Sequence, residues 1–348
     1  MSKNVITIGS ATMDVFVECD EANIVSVCSK SRNSDFMSYP YGSKIDISNF
    51  SSNVGGGGVN TACNFGNLGF HTSAIFKIGN DFYADGILNF FKTQNVSLKH
   101  IIQKEDTSTG FSVILVSFQG DRTVLAHRGA NAGIREDEID FEAVKNADFI
   151  YVAPLNGDSN KVLEPIVDCA RKNGTKICFN AGTTSLKKGF KHIKHILDAA
   201  DVTVMNREEA SMVTEITVRP DTKTEKFSHE TIHIDVKAML KKLRVRDYQL
   251  SVITDGNKGA YAFDGSKYYY CPAYPSEVVS TLGAGDAFAS TFCAALSRTK
   301  LDIGKSLMYA SVNSASVVSK FGATEGLLKF EEIEDVLNHN KDYTYLIC

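Results

Sequence analysis

Asp286 stands in the stretch Ser280-Thr281-Leu282-Gly283-Ala284-Gly285-Asp286-Ala287-Phe288, where small residues precede one carboxylate and a buried-helix composition runs on to Leu296. Val278 and Val279 suit the end of a strand, so the segment reads as strand, small-residue turn and helix start. Helix N-termini attract phosphate through their free N–H groups and the positive end of the dipole. The amides of Gly283, Ala284 and Gly285 carry almost nothing to shield them. A carboxylate in the first turn beside such an anion hole can take a proton from an attacking hydroxyl, which is the chemistry of phosphoryl transfer to an alcohol. For this motif alone a tight turn, with Asp286 complementing the helix dipole, has equal standing.

Three further constellations bear on the choice. Gly55-Gly56-Gly57-Gly58-Val59-Asn60-Thr61-Ala62 opens a helix that continues to Leu68. Four successive glycines are conformationally costly, and close approach of backbone to ligand is one reason to keep them; a flexible turn is the default. The run matches neither the phosphate loop ending in Gly-Lys-Ser/Thr nor a dinucleotide GxGxxG after the first strand. Asn206 and Glu209 follow a strand ending at Met205 and can point to one side, where oxygen donors would handle a hydrated magnesium ion. An N-cap followed by a helix-favouring Glu is the alternative. Thr254-Asp255-Gly256-Asn257-Lys258-Gly259-Ala260-Tyr261 is a polar turn that could hold nucleotide phosphates or form a hairpin.

The elements that must position these residues alternate. Val5 to Ile8, Ala74 to Gly79, Phe149 to Ala153, Lys176 to Asn180, Val202 to Asn206 and Ser251 to Thr254 read as strands. Helical patterns lie near Val59 to Leu68, Phe82 to Thr93, Lys161 to Lys172, Phe190 to Asp198, Glu208 to Val213 and Asp235 to Leu243. Continuous apolar strands alternating with helices predict a doubly wound α/β fold, its mostly parallel sheet covered on both faces. Two regions break the rhythm: Val15 to Glu18 with the stretch from Asn33 to Phe50, and Gly110 to Phe118, turning at Gln119-Gly120-Asp121 and returning through Arg122 to His127. They predict a small β-sheet, either a lid or an edge extension. The reading is one domain over residues 1–348 with lid strands inserted at about 12–50 and 108–128. Thr217 to Thr231 has no periodicity and reads as a surface loop.

Composition narrows the class. The 348 residues are 43% hydrophobic and 22% charged, with mean hydropathy −0.11, as in an ordinary globular chain. A formal charge of −4 gives no attraction for polyanions, and the run Lys237, Lys241, Lys242, Arg244, Arg246 lacks interleaved aromatics, so nucleic-acid binding is not expected. No leader-like segment or apolar run of about 18 residues is present, and the eight cysteines are scattered without CxxC pairs. A cytoplasmic protein with reduced thiols and no membrane partner is the expectation.

Taken together and in this order, the four constellations resemble the ribokinase-like, or PfkB, family of carbohydrate and nucleoside kinases, from the strand before Gly9-Ser10-Ala11-Thr12-Met13-Asp14 to Lys320-Phe321-Gly322-Ala323-Thr324. Gly283-Ala284-Gly285-Asp286 with the early Gly-Gly-x-Gly-x-Asn is the specific part. The resemblance implies a doubly wound α/β domain with a β-sheet lid, and transfer of phosphate from ATP to a hydroxymethyl group. It implies Asp286 as general base and the Gly283, Ala284 and Gly285 amides as stabilisers of the transferring group. It further implies that Asp14, Gly56, Gly57, Gly58 and Asn60 bind the sugar, that Asn206 and Glu209 serve phosphate and Mg2+, with Glu209 acting through water, and that Thr254, Gly256 and Gly259 bind the nucleotide. Two positions depart from the pattern. Ser280 stands where many members carry the Asp associated with an activating monovalent cation (K+), and Gly57 where ribokinases proper carry Lys.

The resemblance leaves a ribokinase- or fructokinase-like sugar kinase and a nucleoside kinase acting on a ribose 5′-hydroxyl side by side. A non-catalytic sugar or nucleotide sensor is the rival of another class, disfavoured by the intact Asp286, Asn206 and Glu209. Pairing of two copies through lid strands is permitted by the apolar run Val113 to Val116. His192 with His195, and His229 with His233, have metal-like spacing but lack convergent partners and read as surface histidines. Arg122 and Arg128 read as solvated strand charges, with a phosphate contact from the lid the lesser use, and Tyr268-Tyr269-Tyr270 as packing residues.

Overall fold

Side chains alternate across each central strand, and the alternation divides the core in two. Val5, Tyr151, Cys178, Val204 and Val252 fall in one buried cluster. Their strand neighbours Ile6, Ile150, Ile177, Met205 and Ile253 fall in another. A period of two with both sets buried requires a sheet covered on both faces.

The computed structural model describes residues 3–28, 33–117, 122–182, 186, 190–217 and 232–347. Its strands are β1 (Asn4–Ile8), β2 (Thr12–Glu18), β3 (Asn23–Cys28), β4 (Asn33–Ser38), β5 (Asn49–Gly55), β6 (His71–Ile75), β7 (Lys77–Ile78), β8 (Val96–Ser97) and β9 (Ile102–Gln103). They continue as β10 (Gly110–Val116), β11 (Arg122–His127), β12 (Phe149–Val152), β13 (Lys176–Asn180), β14 (Val202–Asn206), β15 (Leu250–Thr254), β16 (Ala260–Phe263), β17 (Tyr268–Cys271) and β18 (Leu346–Ile347). The helices are α1 (Gly57–Asn67), α2 (Phe82–Phe91), α3 (Phe141–Asn146), α4 (Leu163–Asn173), α5 (Phe190–Ala199), α6 (Arg207–Thr214), α7 (Ile234–Leu243), α8 (Ala284–Arg298), α9 (Ile303–Val318) and α10 (Phe330–His339).

The large sheet runs β18-β17-β16-β15-β14-β13-β12-β1-β6-β8. Pairing from β15 through to β8 is parallel, and β16 to β18 close one edge antiparallel. From β1 the chain first builds outward to β6 and β8 and then returns to β12 on the other side. The strand order therefore reverses between β1 and β12, and ligands bind in the crevice at such a point, beyond the C-terminal strand ends.

A second sheet, β11-β10-β2-β5, stands apart, with β2 and β10 parallel and the outer pairs antiparallel. Phe16 on β2 packs on Phe321 with ring centroids 4.7 Å apart, seating this sheet against the loop after α9. β3 and β4 pair antiparallel as a separate two-stranded sheet.

Several expectations need correction. Val278 and Val279 form no strand: both are exposed, and the main-chain N–H groups of Val279 and Ser280 instead donate to Val318 O at the end of α9. The run Ala74 to Gly79 is two strands, because β7 leaves the large sheet to pair with β9. The run Val113 to Val116 offers no free edge for a second copy, since β10 is hydrogen-bonded by β2 on one side and β11 on the other. Most of the stretch from Thr217 to Thr231, the turn Gln119 to Asp121, His229 and the His192 side chain lie outside the described residues. Among those described, no helix is long and apolar enough to cross a membrane.

Candidate active site

The crevice at the C-terminal ends of β1 and β12 is entered by the start of α1. Gly56 is its N-cap at φ 97°, a left-handed conformation that favours glycine, and a Cβ there would lie 2.5 Å from Ser10 O. Gly58 N donates to Ser10 O at 2.9 Å, and Gly57 N to Ser10 Oγ at 3.2 Å. The glycines thus allow close approach to the chain leaving β1, a structural use. Gly57 also borders the site, since a Cβ there would sit 3.6 Å from Asp286 Oδ1.

Asn60, on the first turn of α1, donates from Nδ2 to Asp286 Oδ2 at 2.8 Å. Its Oδ1 is buried without a hydrogen-bond partner in the protein. Asp286 lies in the first turn of α8, and burial pushes its pKa above the ordinary carboxylate value, partly offset by the Asn60 hydrogen bond. The helix begins at Gly283, φ 74°, with no side-chain cap. Helices α2, α3, α6 and α9 are by contrast capped by Asp81, Asp140, Asn206 and Asp302. Gly283 packs against Ala323, where a Cβ would come within 2.7 Å of Cα, while a Cβ at Gly285 would meet nothing within 4 Å. An uncapped helix start with open space before it, beside a buried carboxylate, can hold an anion and accept a proton.

Asp14 comes from the small sheet. Its Oδ1 accepts Ser112 Oγ at 2.5 Å, and burial raises its pKa against the lowering effect of Ser112 and Thr12. Gly55 makes room for it, since a Cβ there would fall 2.2 Å from Asp14 Oδ2. Arg122, at the start of β11, donates to Thr281 Oγ1 at 2.5 Å, just before the Gly283 turn.

Asn206 and Glu209 form a reciprocal capping box at α6. Glu209 N donates to Asn206 Oδ1 at 2.8 Å, and Asn206 N to Glu209 Oε2 at 3.0 Å. Burial pushes the Glu209 pKa up to about 6, with the negative charges of Asp286 and Glu208 adding to the rise. Two carboxylates that disfavour each other's ionisation, in an oxygen-lined crevice, suit a divalent cation held largely through water. The described residues contain no cluster of three His, Cys, Asp or Glu that would bind a metal directly. The Thr254–Gly259 segment is the hairpin joining β15 to β16, and Gly256, at φ 55°, faces open space. Arg207 joins this turn to α6 through Asp255 at 2.9 Å.

Residues that the motif reading did not single out are Ser10, Ser112, Phe16, and the Arg207–Asp255 pair. Ser112 has no local signal; Arg207 and Asp255 sit inside motifs whose other members drew attention. His195 pairs with Asp168 at the surface, and His233 caps α7 by accepting Asp235 N. Tyr268 and Tyr270 stack on Phe263 and Tyr261. A cleft of about 610 Å³ opens at the opposite end of the sheet, lined by Asn4, His71, Asn95 and His100 among others, with no carboxylate and no lysine or arginine.

The family model described as pfkB family carbohydrate kinase matches residues 4–329. The chain is 26% identical over 339 residues to the ribokinase of Bacillus subtilis, covering 97% of this chain and 100% of that one. It is also 26% identical over 303 residues to the bifunctional ribokinase/ribose-5-phosphate isomerase A of Fructilactobacillus sanfranciscensis, covering 86% of this chain but only 53% of that protein. Among solved structures, Arabidopsis thaliana ribokinase complexed with ribose and ATP superposes with a TM-score of 0.76 at 20% identity, covering 97% and 99% of the two chains.

Proposed function

The chain belongs to the pfkB family of carbohydrate kinases and is a phosphotransferase acting on an alcohol group, and from that premise we propose that it transfers the γ-phosphoryl of ATP to a primary hydroxyl of a small sugar, with Asp286 as the general base. The observation that carries the reading is the Asp286 carboxylate, held by Asn60 at 2.8 Å in the first turn of a helix without a side-chain cap.

In this reading the acceptor hydroxyl lies against Asp286, which takes its proton as the oxygen attacks the γ-phosphorus. A pKa raised by burial suits a base that must be ionised near neutral pH yet willing to accept a proton. The amides of Gly283, Ala284 and Gly285 receive charge on the transferring group, and positioning with charge stabilisation provides most of the catalysis. Asn60 Oδ1 accepts from a sugar hydroxyl, and Asp14, oriented by Ser112, accepts from others, with Gly56, Gly57 and Gly58 lining that side. Thr254, Gly256 and Gly259 border the nucleotide. The Glu209 carboxylate and Asn206 would hold a magnesium ion through its waters; bound there, the ion neutralises charge on the ATP phosphates. The small sheet acts as the lid, brought onto the nucleotide side by the Phe16–Phe321 and Arg122–Thr281 contacts.

The test is ADP release with Mg-ATP against ribose, fructose, adenosine, inosine and cytidine, with Asp286→Asn alongside. Turnover on a sugar that the variant lacks supports the proposal, and turnover on a nucleoside alone assigns a nucleoside kinase. Saturable ligand binding without ADP release under any acceptor overturns the enzymatic reading in favour of a sensor.

A further inference from the structure

The proposed chemistry uses the outermost turn of α1; the next turn carries a polar side chain for which it has no role. Asn64 is fully buried between Cys63 and Phe65, which are core residues. Its Nδ2 donates to Ser290 Oγ at 2.7 Å and Thr291 Oγ1 at 2.8 Å, with Ala287 O at 3.3 Å. Its Oδ1 accepts Asn313 Nδ2 at 3.0 Å. Asn313, also fully buried, donates to Thr291 Oγ1 at 2.7 Å and accepts Leu328 N at 2.8 Å. Ser290 Oγ in turn donates to the main-chain carbonyl of Asp286.

The spacing gives the arrangement its meaning. Asn60 and Asn64 are one turn apart on α1, and Asp286 and Ser290 are one turn apart on α8. The contacts Asn60–Asp286 and Asn64–Ser290 therefore form two rungs between helices running in the same direction. Sliding α1 by one residue, about 1.5 Å, breaks both rungs together. A leucine pair in place of Asn64 and Asn313 would remove both amides but leave Leu328 N without its acceptor and Thr291 Oγ1 without its two donors, and a half-satisfied buried polar group is expensive. Satisfying Leu328 N accounts for one of these bonds; those from the two amides to Ser290 and Thr291 on α8 fix register.

We infer that Asn64 and Asn313 are positioning residues for phosphoryl transfer: they lock α1 against α8 so that the Asn60 amide is held on the Asp286 carboxylate. The inference rests on Asp286 being the base. Groups whose protonation is linked electrostatically to Asp286 are Glu209 from α6 and Tyr151 from β12, the latter kept neutral by burial.

The experiment compares Asn64→Leu, Asn64→Leu/Asn313→Leu, Ser290→Ala and Asp286→Asn by melting temperature, kcat, acceptor KM and the pH dependence of kcat/KM. Asn64→Leu alone takes one of two acceptors from Asn313 Nδ2 and the amide donor from Ser290 Oγ and Thr291 Oγ1, and should lose both stability and kcat. The double variant, which removes both amides but leaves Leu328 N without its acceptor and puts larger side chains in a packed core, should regain part of the melting temperature while kcat stays about tenfold or more below wild type, with acceptor KM little changed. Its acid limb should move up by about half a pH unit or more, as Asn60 loses its fixed place. Ser290→Ala, which takes one acceptor from the Asn64 amide, should lower kcat with a similar shift and lower the melting temperature by less than Asn64→Leu does. Wild-type kcat and acid limb in Ser290→Ala, or kcat returning with stability in the double variant, overturns the inference. If Asp286→Asn itself turns over normally, the base assignment falls first; if it is inactive while the other variants behave as wild type, only the positioning role falls.

Discussion

Replacing Asn60 with Ala removes the one side-chain hydrogen bond that opposes the effect of burial on Asp286. The amide stabilises the charged carboxylate, so its loss raises the Asp286 pKa further. A hydrogen bond to a charged group contributes roughly 1.5–3 kcal/mol, and about 1.4 kcal/mol corresponds to one pKa unit. The base should therefore titrate about one to two units higher in the variant. In its proposed role as base Asp286 must be ionised to accept the hydroxyl proton, so activity should fail at a higher pH, and the acid limb of kcat/KM should move upward. Glu209, which titrates at about 6 and responds to the charge on Asp286, makes that limb a property of the pair. Measuring kcat/KM from about pH 5 to pH 9 reports the free enzyme. Weakened acceptor binding through the lost Asn60 Oδ1 then lowers the plateau without moving the limb. A lowered plateau with an unmoved limb would refute the argument, leaving Asn60 a sugar contact that does not tune the base.

Asp286→Asn should reduce kcat by about 10²–10⁴ with little change in nucleotide affinity. The same substitution should raise the melting temperature at neutral pH: with a folded pKa above the ordinary value, the native state holds its proton more tightly than the unfolded chain, so stability falls as pH rises from 3.8 through the raised pKa. Activity retained, or a melting temperature that drops, would contradict the placement of this carboxyl. Gly283→Ala meets both a left-handed φ of 74° and Ala323 Cα at 2.7 Å, and should lose about 1–3 kcal/mol by denaturant titration together with activity. Thr281→Val removes the acceptor of Arg122. It should raise acceptor KM several-fold with a melting temperature within about 1 °C of wild type, as expected for an exposed contact; an unchanged KM would show that the contact takes no part in closure.

What could be read from the sequence was what neighbouring residues decide among themselves. Continuous apolar runs placed β1, β12, β13, β14 and β15, and helix periodicity placed α1, α2, α4, α5, α6 and α7, because those patterns are local. Helices α9 and α10 drew no comment, although their periodicity was there to be found. The antiparallel edge of β16 to β18 depends on pairing that no single strand reveals. At the site the glycine turns and the two Asn-containing motifs stood out by composition, while their partners did not. Ser112 reaches Asp14 across 98 residues of chain, and Asn313 reaches Asn64 across 249. Val278 and Val279 show the opposite failure: β-branched residues imply a strand by propensity, but no neighbouring strand lies beside them and they remain exposed.

The same crevice gathers several departures from local rules. Helix α8 starts without a side-chain cap although α2, α3, α6 and α9 have one. Helix α1 starts on glycines, the weakest helix formers after proline. Three carboxylates, Asp14, Glu209 and Asp286, have pKa values raised by burial, and Asn60 Oδ1 is buried with no acceptor role filled by the protein. Each feature is unfavourable for the empty fold, and each becomes favourable if a hydroxyl donor, a phosphoryl group and a cation occupy the crevice. Several such features gathered on one crevice, within a chain that buries three hydrophobic clusters, are how a site built for ligands differs from a poorly packed region. The Asn64–Asn313 network fits this division: it is polar and buried, yet its amides are paired, because it supports the site from the inside and has no ligand to await.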